Sequence, residues 1–185
     1  MQKIWTISAT LAALLFSAAL PARAETYALR LGLEAPLYTH VSSSGASTSY
    51  TIGDSLQPAV DVLLSYKPLP LVAFEAELRE GFASTGSGYK RTGTAIGPGL
   101  RISLPVLPVY ARASLPVHVE PSPVFVGFRA AGGLEFSLVV VSLYAEVAVD
   151  FSLVGGNIAT GPTSSNIGPF DLTSVSGGAG LWFKF

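Results

Sequence analysis

Leu143-Tyr144-Ala145-Glu146-Val147-Ala148-Val149-Asp150-Phe151 is the stretch that decides how this chain folds. Leu143, Ala145, Val147, Val149 and Phe151 are apolar, and Tyr144, Glu146, Ala148 and Asp150 fall between them. The spacing is two, not 3.6. Successive side chains of a strand point to opposite faces, so this segment has one apolar and one polar face.

The same period runs outward in both directions. Before it, Tyr27, Leu29, Leu31, Leu33 and Ala35 alternate with Ala28, Arg30, Gly32 and Glu34. Val60, Val62, Leu64 and Tyr66 flank Asp61 and Ser65, and Val72, Phe74, Ala76 and Leu78 flank Glu75, Glu77 and Arg79. Ile96 to Leu104 carries Gly97, Gly99, Arg101 and Ser103 on its second face. Val109 to Val119 carries Tyr110, Arg112, Ser114, Pro116 and His118, and Val126 to Phe136 carries Arg129, Gly133, Glu135 and Ser137. After it, Val175, Ala179, Leu181, Phe183 and Phe185 alternate with Ser176, Gly178, Gly180, Trp182 and Lys184. About eight strands of roughly nine to twelve residues result, the length that a tilted membrane strand needs.

The connections alternate as well. Long polar stretches, Tyr38–Leu56, Ala83–Thr92 and Gly155–Leu172, follow the first, third and seventh strands. Short ones follow the second, fourth and sixth: Lys67 to Pro70, Pro105 to Pro108, and the apolar stretch around Val139–Ser142. In an up-and-down barrel odd and even connections lie at opposite rims, and outer-membrane barrels have short turns at one rim and long loops at the other. Glu120-Pro121-Ser122-Pro123, the fifth connection, is the exception in being short. Ser42–Thr51 reads as a mobile loop.

At 185 residues the chain suits one domain, and its first 24 residues stand apart. Lys3, the apolar run Ile4 to Leu20, and Ala22-Arg23-Ala24 read as a signal peptide cleaved after Ala24, leaving 25–185 as the folded part. A membrane-anchoring helix is the alternative, but the run is near the lower limit of about 17–25 residues for a span. Removal takes two of the 11 basic residues and none of the 12 acidic ones, so the net charge moves from −1 to −3. That leaves no basic excess for nucleic acid. The absence of cysteine excludes disulfides and thiolate metal sites.

Alternation does not choose between a membrane barrel and a soluble, lipocalin-like one. The faces do. No Asp, Glu, Lys or Arg falls on the apolar face of the eight segments. The polar face carries Arg30, Arg79, Arg101, Arg112, Arg129 and Lys184 against Glu34, Asp61, Glu75, Glu77, Glu135, Glu146 and Asp150. A narrow interior holds such charges only if they pair. Gly32, Gly97, Gly99, Gly133, Gly178 and Gly180 share that face and leave room for long neighbours. A sheet in lipid must close, because an open edge leaves backbone groups unsatisfied. Pro98 and Pro116 each remove a ladder donor inside a strand, and local bulges are expected to absorb them. Tyr66, Phe82, Phe128, Phe151, Phe183 and Phe185 are candidates for interfacial girdles.

The last strand, Val175 to Phe185, resembles the C-terminal signal of outer-membrane barrels, with alternating Val175, Leu181 and Phe183 ending on an aromatic, Phe185. In architecture the likeness covers Tyr27 to Phe185 and is to the small OmpA/OmpX-type barrels, including their packed ionic interior. The resemblance implies a barrel assembly machinery as partner.

Chemistry is sparse. His40 lies in the first polar stretch, and His118 shares a strand face with Ser114 and Glu120, a nominal Ser/His/acid set. Neighbours two apart on a strand are roughly 7 Å apart, too far for direct contact, so His118 reads as a rim histidine. Outer-membrane lipid A deacylases carry a His-x-Ser pair late in the chain. Here His40-Val41-Ser42 has the spacing but lies early, and no histidine follows His118. His40 with Ser42, Ser43 and Ser44 faintly resembles the loop residues of lipid A palmitoyltransferases, and neither likeness carries residues over. Gly97-Pro98-Gly99 is no nucleotide loop, because no helix follows it. Lys90-Arg91 is placed to touch lipopolysaccharide phosphates or to form a solvated tip.

The residues therefore predict an all-β chain: a closed antiparallel up-and-down transmembrane β-barrel in the outer membrane of a Gram-negative envelope. Its function is expected to be structural, or to lie in interactions through surface loops, with the ionic lumen plugged. A narrow channel or lipid or small-solute conduit, a lipid-modifying barrel enzyme, and a soluble periplasmic barrel are the alternatives. No catalytic residue, cofactor or metal is expected. The expected partners are outer-membrane lipid and lipopolysaccharide, the assembly machinery, and a loop partner the sequence does not identify.

Overall fold

The computed structural model describes residues 27–43, 46–51, 57–69, 71–85, 88–104, 107–120, 124–138, 141–156 and 169–185. The expected signal peptide falls outside them, as do parts of all seven connections. Ten strands are present: β1 (Tyr27–Ser43), β2 (Ala46–Thr51), β3 (Ala59–Tyr66), β4 (Val72–Thr85), β5 (Gly88–Ser103), β6 (Val109–Ser114), β7 (Val117–Glu120), β8 (Val124–Leu138), β9 (Val141–Gly156) and β10 (Leu172–Lys184). Every pairing among them is antiparallel. β10 returns to β1 from Ala28↔Lys184 to Val41↔Leu172, so the sheet closes on itself. The Phe185 N–H donates to the Tyr27 carbonyl at 2.9 Å and joins the two ends at the short-turn rim.

The wall has eight strands, because two of the ten are not independent. β2 stands on the β3 side of β1, paired from Tyr38↔Thr51 to Ser43↔Ala46, above the last β1–β3 pair at Glu34↔Ala59. β6 and β7 form one interrupted strand. Gly99↔Ser114 and Ile96↔Val117 lie on a single register, as do Ser114↔Arg129 and Val117↔Val126. The bulges expected at Pro98 and Pro116 are therefore absent. Leu115 N–H donates to the Pro98 carbonyl at 2.9 Å, and Gly127 N–H donates to the Pro116 carbonyl at 2.7 Å. The return bond of each pair has no hydrogen, because proline lacks one. Each proline thus costs one rung and leaves the register intact. The observed register shifts sit nearer the long-loop rim, at Pro36/Tyr38, Gly81/Phe82, Thr94/Ala95 and Val126/Gly127.

Two of the stretches expected as polar loops are mostly strand. Tyr38–Leu56 continues β1 through Ser43 and returns as β2, so the mobile loop expected at Ser42–Thr51 is a paired hairpin over its described residues. Ala83–Thr92 continues β4 and β5 up to the pair Thr85↔Gly88. Thr and Tyr suit strands, and a backbone ladder needs no apolar face once its partner strand is beside it. β9 likewise runs on to Gly156, while 157–168 lie outside the described residues.

The two faces of the wall are opposite in character. Leu31, Leu33, Val60, Leu64, Phe74, Ile96, Leu100, Ile102, Phe136, Leu143, Val147 and Leu181 are exposed outside. Arg30, Asp61, Glu75, Glu77, Arg112, Arg129 and Glu146 are buried inside. On β4 and β5 the outer face turns charged only toward the long-loop rim. There Glu80 accepts from the Thr94 hydroxyl at 2.9 Å and lies 3.6 Å from Arg91. Tyr27 and Tyr66 pack at 5.1 Å at the opposite rim, and Phe128 is the cross-strand partner of Phe151 at the upper one.

Candidate functional site

Alternation delivers one inward side chain every second residue from each strand, and the lumen is where these meet. Its centre is Glu146 of β9. Arg30 of β1 donates to it at 2.7 Å, Arg112 of β6 at 3.2 Å and the Tyr110 hydroxyl at 2.9 Å. Arg30 also holds Asp61 at 2.5 Å through Nη2. Arg112 spreads over Glu77 at 2.6 Å and Glu75 at 3.1 Å, and Ser114 adds a hydroxyl to Glu77 at 3.0 Å. These ionised groups are 0–2% exposed. Five strands are thereby tied across the interior rather than along the wall.

Toward the long-loop rim, Arg129 bridges Glu34 at 2.5 Å and Asp150 at 2.8 Å, and Arg79 reaches the same two carboxylates at 3.3 and 3.2 Å. Toward the short-turn rim, Arg101 joins Glu75 at 3.2 Å to Glu135 at 2.9 Å. Lys184 closes that end on Glu135 at 2.7 Å and Ser137 at 2.9 Å. Arg129 also lies 3.6 Å from Glu146 and 3.8 Å from Glu77, so these groups form one network of six cations and seven carboxylates. Paired charges of this kind contribute little net stability, but removing one partner leaves the other buried and unpaired.

An aromatic layer lies between the central and lower ions. Trp182 of β10 is fully buried, with the Arg101 guanidinium 3.8 Å from its ring centre and edge contacts to Tyr110 and Tyr144 at 5.9 and 6.1 Å. Arg30 lies 4.1 Å over the Tyr144 ring. Glycine makes this layer possible. A Cβ at Gly32 would collide with the Tyr144 hydroxyl, and one at Gly133 would come within 2.6 Å of the Tyr110 ring carbon that bears its hydroxyl. The sequence offers the glycines, but the stacking of Arg101 on Trp182 has no local signal, since the residues are far apart in the chain. Leu63, an apolar side chain on the inner face, is fully buried as well.

Of the remaining candidates, Ser44 lies outside the described residues. His40 belongs to β1, with Thr173 and Ser49 as its cross-strand partners, not to a loop. His118 stacks on Phe125 at 4.1 Å, while Ser114 is engaged by Glu77 beyond the Pro116 interruption. Gly97-Pro98-Gly99 is strand. Val175, Leu181 and Phe183 lie on the outward face of β10, and Phe185 follows its end.

The chain matches no protein-family model and no curated protein. Among solved structures it resembles Neisserial surface protein A, with a TM-score of 0.56 at 15% sequence identity. The match covers 89% of this chain and 100% of that one. The likeness is one of fold. In this chain that fold is eight antiparallel strands wound up and down into a closed barrel.

Proposed function

We propose that the chain is an integral outer-membrane barrel of the small OmpA/OmpX kind, with a lumen plugged by its ionic network and a structural or interaction role exercised at the long-loop rim. The observation that carries this reading is the inversion of the two faces. A soluble barrel turns its charges to water, whereas this one folds them inward and presents Leu, Ile, Val and Phe outside. In lipid only a closed sheet satisfies its backbone, and the β1–β10 seam supplies that closure. The fold-level neighbour is a surface protein, which is consistent with the same location.

The plug rests on the crossing pairs. Glu146 draws Arg30 and Arg112 from different walls, and Arg129 draws Glu34 across β9 and β10. Such links fill the section through which a solute would pass. A non-enzymatic role belongs to this reading: His118 stacks on Phe125, and the Ser114 hydroxyl is bound to Glu77. Export by residues 1–24, insertion by the assembly machinery through Val175, Leu181, Phe183 and Phe185, and contact of Lys90 and Arg91 with lipopolysaccharide belong to this reading.

Two measurements test it. Detergent-extracted outer-membrane protein should migrate as a compact band unboiled and shift on boiling. Purified barrel in planar bilayers should give no conductance steps. Recovery in the soluble periplasm without a heat shift would overturn the location, and regular steps would replace the plug with a channel.

A further inference from the structure

Phe170 is the one described non-glycine residue with a positive φ, 63°. It follows Pro169 in the turn that leads into β10. That backbone region is usually left to Gly or Asn at a turn and is strained for a bulky residue. Two bonds hold it there. Phe170 N–H donates to the Ser152 carbonyl at 2.8 Å, and Leu172 N–H donates to the Ser152 hydroxyl at 3.0 Å, with Ser152 itself fully buried. The strain gains no burial within the protein, because Phe170 is 61% exposed. Its ring stands edge-on against Phe151 at 5.4 Å, on the outer wall, beside Phe128.

We infer that Phe170 is a lipid anchor: an aromatic held outside the wall by a strained turn so that, with Phe151 and Phe128, it sits in the headgroup–acyl boundary at the long-loop rim. The inference rests on the membrane reading above. A ring that water would not reward is placed where apolar side chains enter the headgroup–acyl boundary. The strain then fixes the direction of the ring rather than its burial.

The cysteine-free sequence permits a clean test. F170C carrying an environment-sensitive dye is reconstituted in phosphatidylcholine vesicles containing nitroxide lipids, labelled either near the headgroup or near the chain end. Strong quenching from the shallow nitroxide, weak quenching from the deep one, and protection from aqueous iodide are expected. Full iodide quenching with no lipid quenching places residue 170 in water and overturns the anchor. Protection from iodide without quenching by either lipid places it against protein, such as a second copy, and overturns it equally. V147C, on the middle of the outer wall, separates the two failures: if its dye escapes the deep nitroxide too, the membrane reading has failed. Should F170C not give the compact band, F170W is read with lipids brominated near the headgroup, which do not reach Trp182 inside the lumen.

Discussion

The guanidinium of Arg30 on β1 meets the carboxylate of Glu146 on β9 at 2.7 Å, reaching past the strand that closes the barrel. Arg112 approaches the same carboxylate from β6. One acidic side chain therefore sets the spacing of two walls.

Glu146→Gln should expose that dependence. It keeps the shape and removes the charge, leaving two buried guanidinium groups short of a partner. A loss of about 3–5 kcal/mol is expected in denaturant unfolding of the refolded barrel, as for other broken buried pairs. Glu80→Gln, which weakens one ion pair of the half-exposed Arg91, should cost less than about 1 kcal/mol. Equal effects from the two variants would mean the lumen pairs are as solvated as the outer one.

Salt offers a second discrimination. Counterions screen exposed charges and hardly reach groups 0–2% exposed. The unfolding midpoint of the native chain should stay level as sodium chloride rises from about 0.05 M to about 1 M. A steep fall would show that water and ions occupy the lumen.

The glycines beneath the aromatic layer are steric requirements. Gly32→Ala drives a methyl group into the Tyr144 hydroxyl and should destabilise the barrel by about 1–3 kcal/mol. Tyr144→Phe in the same chain should return part of that loss, because the hydroxyl is the first atom met. A double-mutant cycle reads the coupling, and strict additivity would contradict the contact.

Pro116→Ala restores a hydrogen to the β7–β8 seam. The new amide at 116 should point at the Gly127 carbonyl and exchange slowly in hydrogen-exchange NMR, like its ladder neighbours. Fast exchange at 116 would mean that the seam is held apart by something other than the missing donor.

Most of the wall was legible because its signal is local. The inward Arg30, Glu75, Glu77, Arg112, Arg129, Glu146 and Asp150 all follow from counting by two along their own strands. The prolines misled in one respect: bulges were expected, yet at Pro98 and Pro116 the ladder simply drops a bond, since every flanking pair still fits the register. The polar extensions of β1, β4 and β5 resemble loops in sequence because their Ser, Thr and Gly carry no alternation, and backbone pairing leaves none. Which cation meets which carboxylate was beyond reach. Arg30 and Glu146 are separated by 116 positions, and only the closed ring makes them neighbours. Phe170 was missed for a related reason, as a positive φ at phenylalanine leaves no mark in composition.

That dependence on closure orders events in assembly. Arg30 finds Glu146, and Glu34 finds Arg129, only after strands from the two ends of the chain stand in one ring. Until then each of those charges needs water. On the membrane reading proposed above, the nascent cylinder then encloses a hydrated column while its outside exchanges water for hydrocarbon, and pairing of the inner charges coincides with the zipping of β10 onto β1. Sealing the seam and pairing the inner charges become a single event, and a chain halted before it would be a hairpin array with an unneutralised core.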